Sequence, residues 1–158
     1  MGDSRRFSAF ADLIERNFAP TLAVADIAGG KGHLQAKLRK RGFGNVVSWD
    51  RRPKYAGPRR CYHFGLFDFR SAPRGYDLVV GMHPDEATDH IVMYAAKHRI
   101  PFAVCPCCVK PSATRYEGYR YEHWLQHLAS LAEAARFRVT EAGLPISGRS
   151  AVLIGWPA

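Results

Sequence analysis

Apolar positions along the chain switch between two periods. From residue 5 to 18, Phe7, Phe10, Leu13, Ile14 and Phe18 share one stripe at helical spacing, with Asp3 or Ser4 placed to cap the helix and Pro20 to end it. A short apolar run at 22–27 reads as a buried strand that stops at an acid. The helical period returns over 31–41. There Leu34 and Leu38 point inward, while Lys37, Arg39, Lys40 and Arg41 gather at the end of the helix that favours cations. Gly42 and Gly44 stop it, and residues 45–50 form a second strand. Further strands are predicted at 61–66, 76–82 and 101–105, and helices at 86–98 and 118–135. The last helix carries Trp124, Leu125, Leu128, Leu131, Ala132 and Ala135 on one face. Residues 137–141 and 151–156 read as two antiparallel strands. Alternating strand and helix predicts a largely parallel sheet of the α/β class, in one domain spanning residues 1–158.

The first strand leads into Asp26-Ile27-Ala28-Gly29-Gly30-Lys31-Gly32-His33, a glycine-rich turn that opens a helix. Glycines there let the backbone approach a ligand closely, and the helix that follows offers unpaired N–H groups. The second strand ends in another acid, Asp50, at the position where open α/β sheets hold the two hydroxyls of a ribose. Two readings fit this pair: a dinucleotide fold, in which the glycines face a pyrophosphate, or a nucleoside-cofactor fold in which an acid precedes the glycines. The phosphate-cradling pattern GxxxxGK followed by Ser or Thr is absent.

Asp26-x-Ala28-x-Gly30-x-Gly32 resembles the acid-x-Gly-x-Gly-x-Gly turn of class I S-adenosylmethionine-dependent methyltransferases, with alanine at the first glycine position. The resemblance implies a Rossmann-like, seven-stranded, mostly parallel sheet with helices on both faces and a C-terminal antiparallel hairpin. It also implies S-adenosyl-L-methionine as cofactor, held by Asp26, Ala28, Gly29, Gly30, Gly32, His33, Asp50, Arg51, Phe67, Asp68, Met82 and His83. Within that pattern Asp68 reaches the adenine amino group, and Phe67 or Phe69 covers the ring.

A narrower resemblance rests on about a dozen residues. His83-Pro84-Asp85-Glu86-Ala87-Thr88-Asp89 after the fourth strand, with Pro106-Cys107-Cys108 after the fifth, is similar to a methyltransferase-like group containing the acceptor-stem tRNA ribose methyltransferases. The group's His-x-Cys-Gly-x-x-Thr-Asp motif is changed here by Pro84-Asp85-Glu86 in its middle. In this setting His83 or Asp85 would take the proton of an attacking hydroxyl, and Lys110 would orient a phosphate or that hydroxyl.

Charge extends the picture. Lys and Arg number 23 against 14 acids, a net +9, so an anionic partner is expected, with RNA first. The basic connection 51–60 reads as a solvated loop or a phosphate-contacting edge beside the cofactor. Tyr116, Tyr119, Arg120 and Tyr121 interleave aromatic and basic character, as base-stacking surfaces do, or form a packing cluster at a helix start. No apolar run reaches the roughly 18 residues a membrane-spanning helix needs, and the N-terminus lacks a secretory signal's apolar core. A cytoplasmic protein with reduced thiols is therefore expected.

Cys105, Cys107 and Cys108 then have three readings: a zinc site on Cys105 and Cys108 with Cys107 or a histidine, a nucleophile at Cys105 or Cys107, or packing of a pocket floor. Packing is favoured, so no metal is assigned. The rivals to an RNA methyltransferase are a small-molecule methyltransferase and a non-catalytic RNA-binding or scaffold protein, and a protein partner could supply substrate recognition.

Overall fold

The computed structural model describes residues 2–55 and 61–158. In chain order the elements are α1 (Arg6–Asn17), β1 (Val24–Ile27), α2 (His33–Lys40), β2 (Val46–Asp50), β3 (Tyr62–Phe64), β4 (Leu78–Met82), α3 (Thr88–His98), β5 (Phe102–Cys105), α4 (Tyr121–Ala134), β6 (Phe137–Gly143) and β7 (Ala151–Pro157). Short 3₁₀ turns occupy Pro53–Tyr55 and Asp85–Ala87.

The strands form one seven-stranded sheet in the order β3-β2-β1-β4-β5-β7-β6. β1 to β5 run parallel, whereas β7 is antiparallel to both β5 and β6. The expected Rossmann-like sheet with its C-terminal hairpin is therefore the observed one. Order reverses at β1, where the chain leaves outward to β2 and β3 and returns to β4. Ligands of open α/β sheets collect beyond the strand ends at such a point.

Alternation along the central strands divides the core into two layers. Val24, Leu78, Val80, Ala103 and Ile154 face α1 and α2, packing on Phe10, Ile14, Leu34 and Leu38. Ala25, Val79, Phe102, Val104 and Leu153 face α3 and α4, packing on Ile91, Tyr94, Trp124 and Leu128. Both faces are covered, so β1, β4 and β5 are buried throughout and read as continuous apolar runs. Gly155 sits opposite Phe102 in the register, and a Cβ there would meet the Phe102 ring at 2.2 Å.

Several boundaries differ from those expected. α2 starts two residues late because Gly32 takes a left-handed backbone (φ 83°) and serves as its N-cap. α4 starts at Tyr121, after an extended Arg120 (φ −83°, ψ 131°). Neither Asp3 nor Ser4 caps α1. The Asp3 carboxylate instead binds the backbone N–H and guanidinium of Arg5, at 2.9 and 2.7 Å. β3 is a short edge strand of three residues, and the residues of the basic connection from 56 to 60 lie outside the described residues. Among the described residues no helix is long and apolar enough to cross a membrane.

Candidate active site

The β1–α2 turn is shaped by backbone. Ala28, Gly30 and Gly32 all take left-handed conformations (φ 57°, 56° and 83°). For alanine that conformation is strained, and such strain gathers at ligand sites. Gly29 lies directly over Asp26, where a Cβ would meet Oδ2 at 2.5 Å. Asp26 itself is buried beneath the turn and accepts a hydrogen bond from the Ser48 hydroxyl at 2.8 Å. Burial, reinforced by the nearby Asp50 charge, pushes its carboxyl up to about 7 despite that bond.

Asp50, at the tip of β2, is 3 % exposed and saturated with donors. Oδ2 accepts the Gly30 N–H at 2.8 Å and the Arg52 guanidinium at 2.6 Å, while Oδ1 accepts the Arg52 backbone N–H at 3.0 Å and Nε at 2.8 Å. Burial opposes the charged form, but these four donors outweigh it and hold the carboxyl below its usual range. They also fill the roughly four acceptor positions that a carboxylate offers. Arg52 lies over the Tyr55 ring, 4.6 Å from its centroid, and its side chain is about half exposed.

The β4 and β5 ends bring different chemistry. His83 and Asp85 are both left-handed (φ 52° and 55°). His83 Nε2 lies 2.9 Å from the Arg149 carbonyl, which can only accept, so Nε2 carries the proton and Nδ1 keeps its lone pair. Burial lowers the imidazole pKa, which keeps the ring neutral near pH 7. The Asp85 carboxylate meets Lys110 Nζ at 2.9 Å, Cys108 Sγ at 3.3 Å and Cys107 Sγ at 3.7 Å, and the two sulfurs are 3.4 Å apart. Lys110 is the main influence holding that carboxyl below its ordinary value. Burial, with the thiol and carboxylate beside it, pushes Cys108 up to about 12.

Ala28, Trp49, Asp50, Arg51, Arg52, Leu66, Phe67, His83, Asp85, Glu86 and Lys110 line a cleft of about 240 Å³ beyond the strand ends. An Arg51–Glu86 ion pair links the β2 side of its rim to the β4 side. Of the residues expected at the cofactor, Ala28, Asp50, Arg51, Phe67 and His83 meet there, together with the catalytic candidates Asp85 and Lys110. Asp26, Gly29, Gly30 and Gly32 form the turn behind that wall. His33 faces α1, with its ring 5.2 Å from Phe7. Met82 is buried in the α1–α2 layer. Asp68 lies beyond the lining, bonded to the Arg70 backbone at 2.9 Å and 3.8 Å from His90 Nδ1.

The tyrosine-rich stretch divides. Tyr116 packs 5.1 Å from Trp124, and buried Tyr121 donates to the Pro106 carbonyl at 2.8 Å beneath the Arg149 guanidinium. Tyr119 is 87 % exposed. Cys105 turns into the opposite layer, fully buried, with its thiol pushed by burial up to about 12. It therefore joins neither Cys107 and Cys108 in a metal cluster nor the cleft wall as a nucleophile.

Arg52, Glu86 and Asp89 receive no individual role from the sequence, although Glu86 and Asp89 stand in the motif after β4 and Arg52 in the basic connection. Asp89 is wholly buried, and its Oδ2 accepts the N–H groups of Ser112, Ala113 and Thr114 and the Thr114 hydroxyl, all within 3.0 Å. Thr88 donates to the Asp85 carbonyl at 2.7 Å. The Thr88-Asp89 pair thus anchors the Asp85 turn and the loop that carries Lys110. Its place beside His83 in one motif was the available signal.

No protein-family model matches the chain, and no curated protein matches it in sequence. Solved structures do match in fold. DesVI of Streptomyces venezuelae is 19 % identical with a TM-score of 0.68, covering 98 % of this chain and 93 % of its own. A SAM-dependent methyltransferase of Aquifex aeolicus is 14 % identical with a TM-score of 0.62, covering 97 % and 93 %. The protein in complex with the Trm112 methyltransferase activator of Haloferax volcanii is 13 % identical with a TM-score of 0.65, covering 97 % and 90 %. The architecture of this chain is that of the S-adenosylmethionine-dependent methyltransferases.

Proposed function

We propose that the cleft binds S-adenosylmethionine and that the domain methylates RNA in the cytoplasm. The observation that carries the cofactor reading is the Asp50 carboxylate, bonded to Gly30 N–H across the glycine turn and lining the cleft. A ribose placed there would exchange its hydroxyls for the Arg52 guanidinium, which can swing into solvent because its side chain is about half exposed. Phe67 and Leu66 offer an apolar surface to an adenine. The sulfonium of such a cofactor supplies an already activated methyl group. This chain then has to align an acceptor and take up its proton. His83 Nδ1 is the base suited to that task, because Nε2–H is committed to the Arg149 carbonyl and fixes the tautomer. Asp85 and Lys110 would orient the acceptor from the same β4–β5 side of the cleft.

RNA is supported by the net charge of +9, the cations Arg51 and Lys110 on the rim, and exposed Tyr119 beside Arg149 and the cysteine turn. A partner chain that completes substrate recognition is supported by the fold neighbour that is in complex with the Trm112 methyltransferase activator. The modest cleft and its Arg51–Glu86 bridge favour a second reading, a small-molecule acceptor. Methyl transfer to unmodified tRNA and rRNA, measured against a small-molecule panel, separates the two. RNA labelling that weakens steeply with salt supports the first. Labelling of small molecules alone, with RNA inert, overturns it.

A further inference from the structure

The Asp85, Cys107 and Cys108 side chains bring a carboxylate and two thiols into mutual contact. Their ligand atoms all lie within 4.8 Å of one another, and all three residues are half-buried. Zinc–sulfur bonds of about 2.3 Å and zinc–oxygen bonds of about 2.0 Å, at tetrahedral angles, place two sulfurs about 3.8 Å apart and sulfur and oxygen about 3.5 Å apart. The observed edges are 3.4 Å for the sulfur pair and 3.3 and 3.7 Å from sulfur to Asp85 Oδ1. The triangle therefore already has nearly the size of one face of a tetrahedral zinc site. Successive side chains of an extended backbone point apart. Here the turn after β5 aims Cys107 and Cys108 at the same carboxylate.

We propose that Asp85, Cys107 and Cys108 form a binding site for one soft divalent cation of the zinc class, tying the β4 turn to the β5 turn. Charge supports it: the cation displaces the two thiol protons to solvent, and the resulting two thiolates and the carboxylate carry three negative charges, met by the dication and the Lys110 ammonium that already sits on Asp85. Three protein ligands leave one tetrahedral position open, the arrangement of zinc sites that bind water or substrate. Asp85 and Lys110 line the main cleft, while Cys107 and Cys108 line a neighbouring cavity of about 390 Å³ together with Tyr121 and Arg149. The three ligands thus lie between the cofactor cleft and the exposed Tyr119 surface. This set differs from the one expected from CxxC spacing, because Cys105 is buried in the other layer and Asp85 takes its place.

The test is titration of the reduced, metal-free full chain with Co²⁺ and Cd²⁺, without cofactor, so that its outcome is independent of the methyltransferase reading. One equivalent of Co²⁺ should give thiolate charge-transfer absorption and the intense ligand-field bands of a tetrahedral site, and Zn²⁺ should displace it. Cys107→Ser and Cys108→Ser should each weaken binding by more than about a hundredfold, and Asp85→Asn by about tenfold or more. Cys61→Ser, at an exposed cysteine elsewhere, should leave binding unchanged. ¹¹³Cd NMR of the wild type, which needs no variant, should report two sulfur ligands. A shift typical of all-oxygen coordination, absent charge transfer, or binding that survives in the Cys107→Ser/Cys108→Ser double variant would overturn the site.

Discussion

Two carboxylates stand at opposite sides of one cleft, and each holds a cation: Asp50 holds Arg52 of its own loop, and Asp85 holds Lys110 from the turn after β5. Their surroundings differ. Asp50 is buried and receives backbone N–H groups from Gly30 and Arg52. Asp85 has a half-exposed side chain in a strained turn, beside two thiols and a neutral imidazole. The first setting is rigid and suited to recognising a fixed, hydroxyl-bearing ligand. The second gathers groups that move protons or bind soft cations. Under the proposed function, one fold would thus separate holding from reacting, on either side of the point where strand order reverses.

That contrast can be broken on its reacting side first. His83→Ala should leave cofactor affinity within about twofold but lower the rate of transfer by about 10²–10⁴, the span of a lost general base. Because burial lowers the His83 pKa, the acid limb of the wild-type pH–rate profile should lie below the ordinary imidazole value of 6.5. Full activity in the variant would remove the base from His83.

On the holding side, Gly29→Ala drives a Cβ onto Asp26 Oδ2 and should cost about 1–3 kcal/mol in thermal or denaturant unfolding. A neutral effect would mean that the turn relaxes freely. Asp26 then gives a pH signature. Its pKa is raised in the fold, so its contribution to stability is complete below the unfolded value of 3.8 and is lost as pH rises through about 7. Asp26→Asn should therefore gain on the wild type across that window, by at least about 1 kcal/mol, in unfolding measured at a series of pH values. A constant difference would place a solvated carboxylate there. The smallest effect belongs to Arg52. Arg52→Ala frees the Asp50 oxygens and should tighten S-adenosylhomocysteine binding by about two- to fivefold, the scale of a half-exposed ion pair. Weaker binding would show that Arg52 contacts the cofactor itself.

The holding side was largely legible in the sequence, because its signals are local. A buried strand ending in an acid, a glycine turn and a second strand ending in an acid lie within residues 22–50. The strand and helix alternation that produced the sheet order is similarly local. What escaped was the partner of each carboxylate. Arg52 reads as one more cation in a basic loop until the turn after β2 folds it back onto Asp50. The reacting side depends on contacts across 22 to 66 residues: Asp85 to Cys107, Asp89 to Ser112, and His83 to Arg149. CxxC spacing suggested pairing Cys105 with Cys108. Strand alternation instead sends Cys105 into the α1–α2 layer, a consequence of the pleat that spacing alone does not carry.

Calorimetric titration with S-adenosylmethionine and S-adenosylhomocysteine, comparing the wild type with Asp50→Ala, tests the central claim most directly. The account predicts one cofactor per chain, and an affinity that falls more than tenfold in Asp50→Ala while the variant stays folded. Binding of equal strength in both proteins, or none to the wild type, would contradict it.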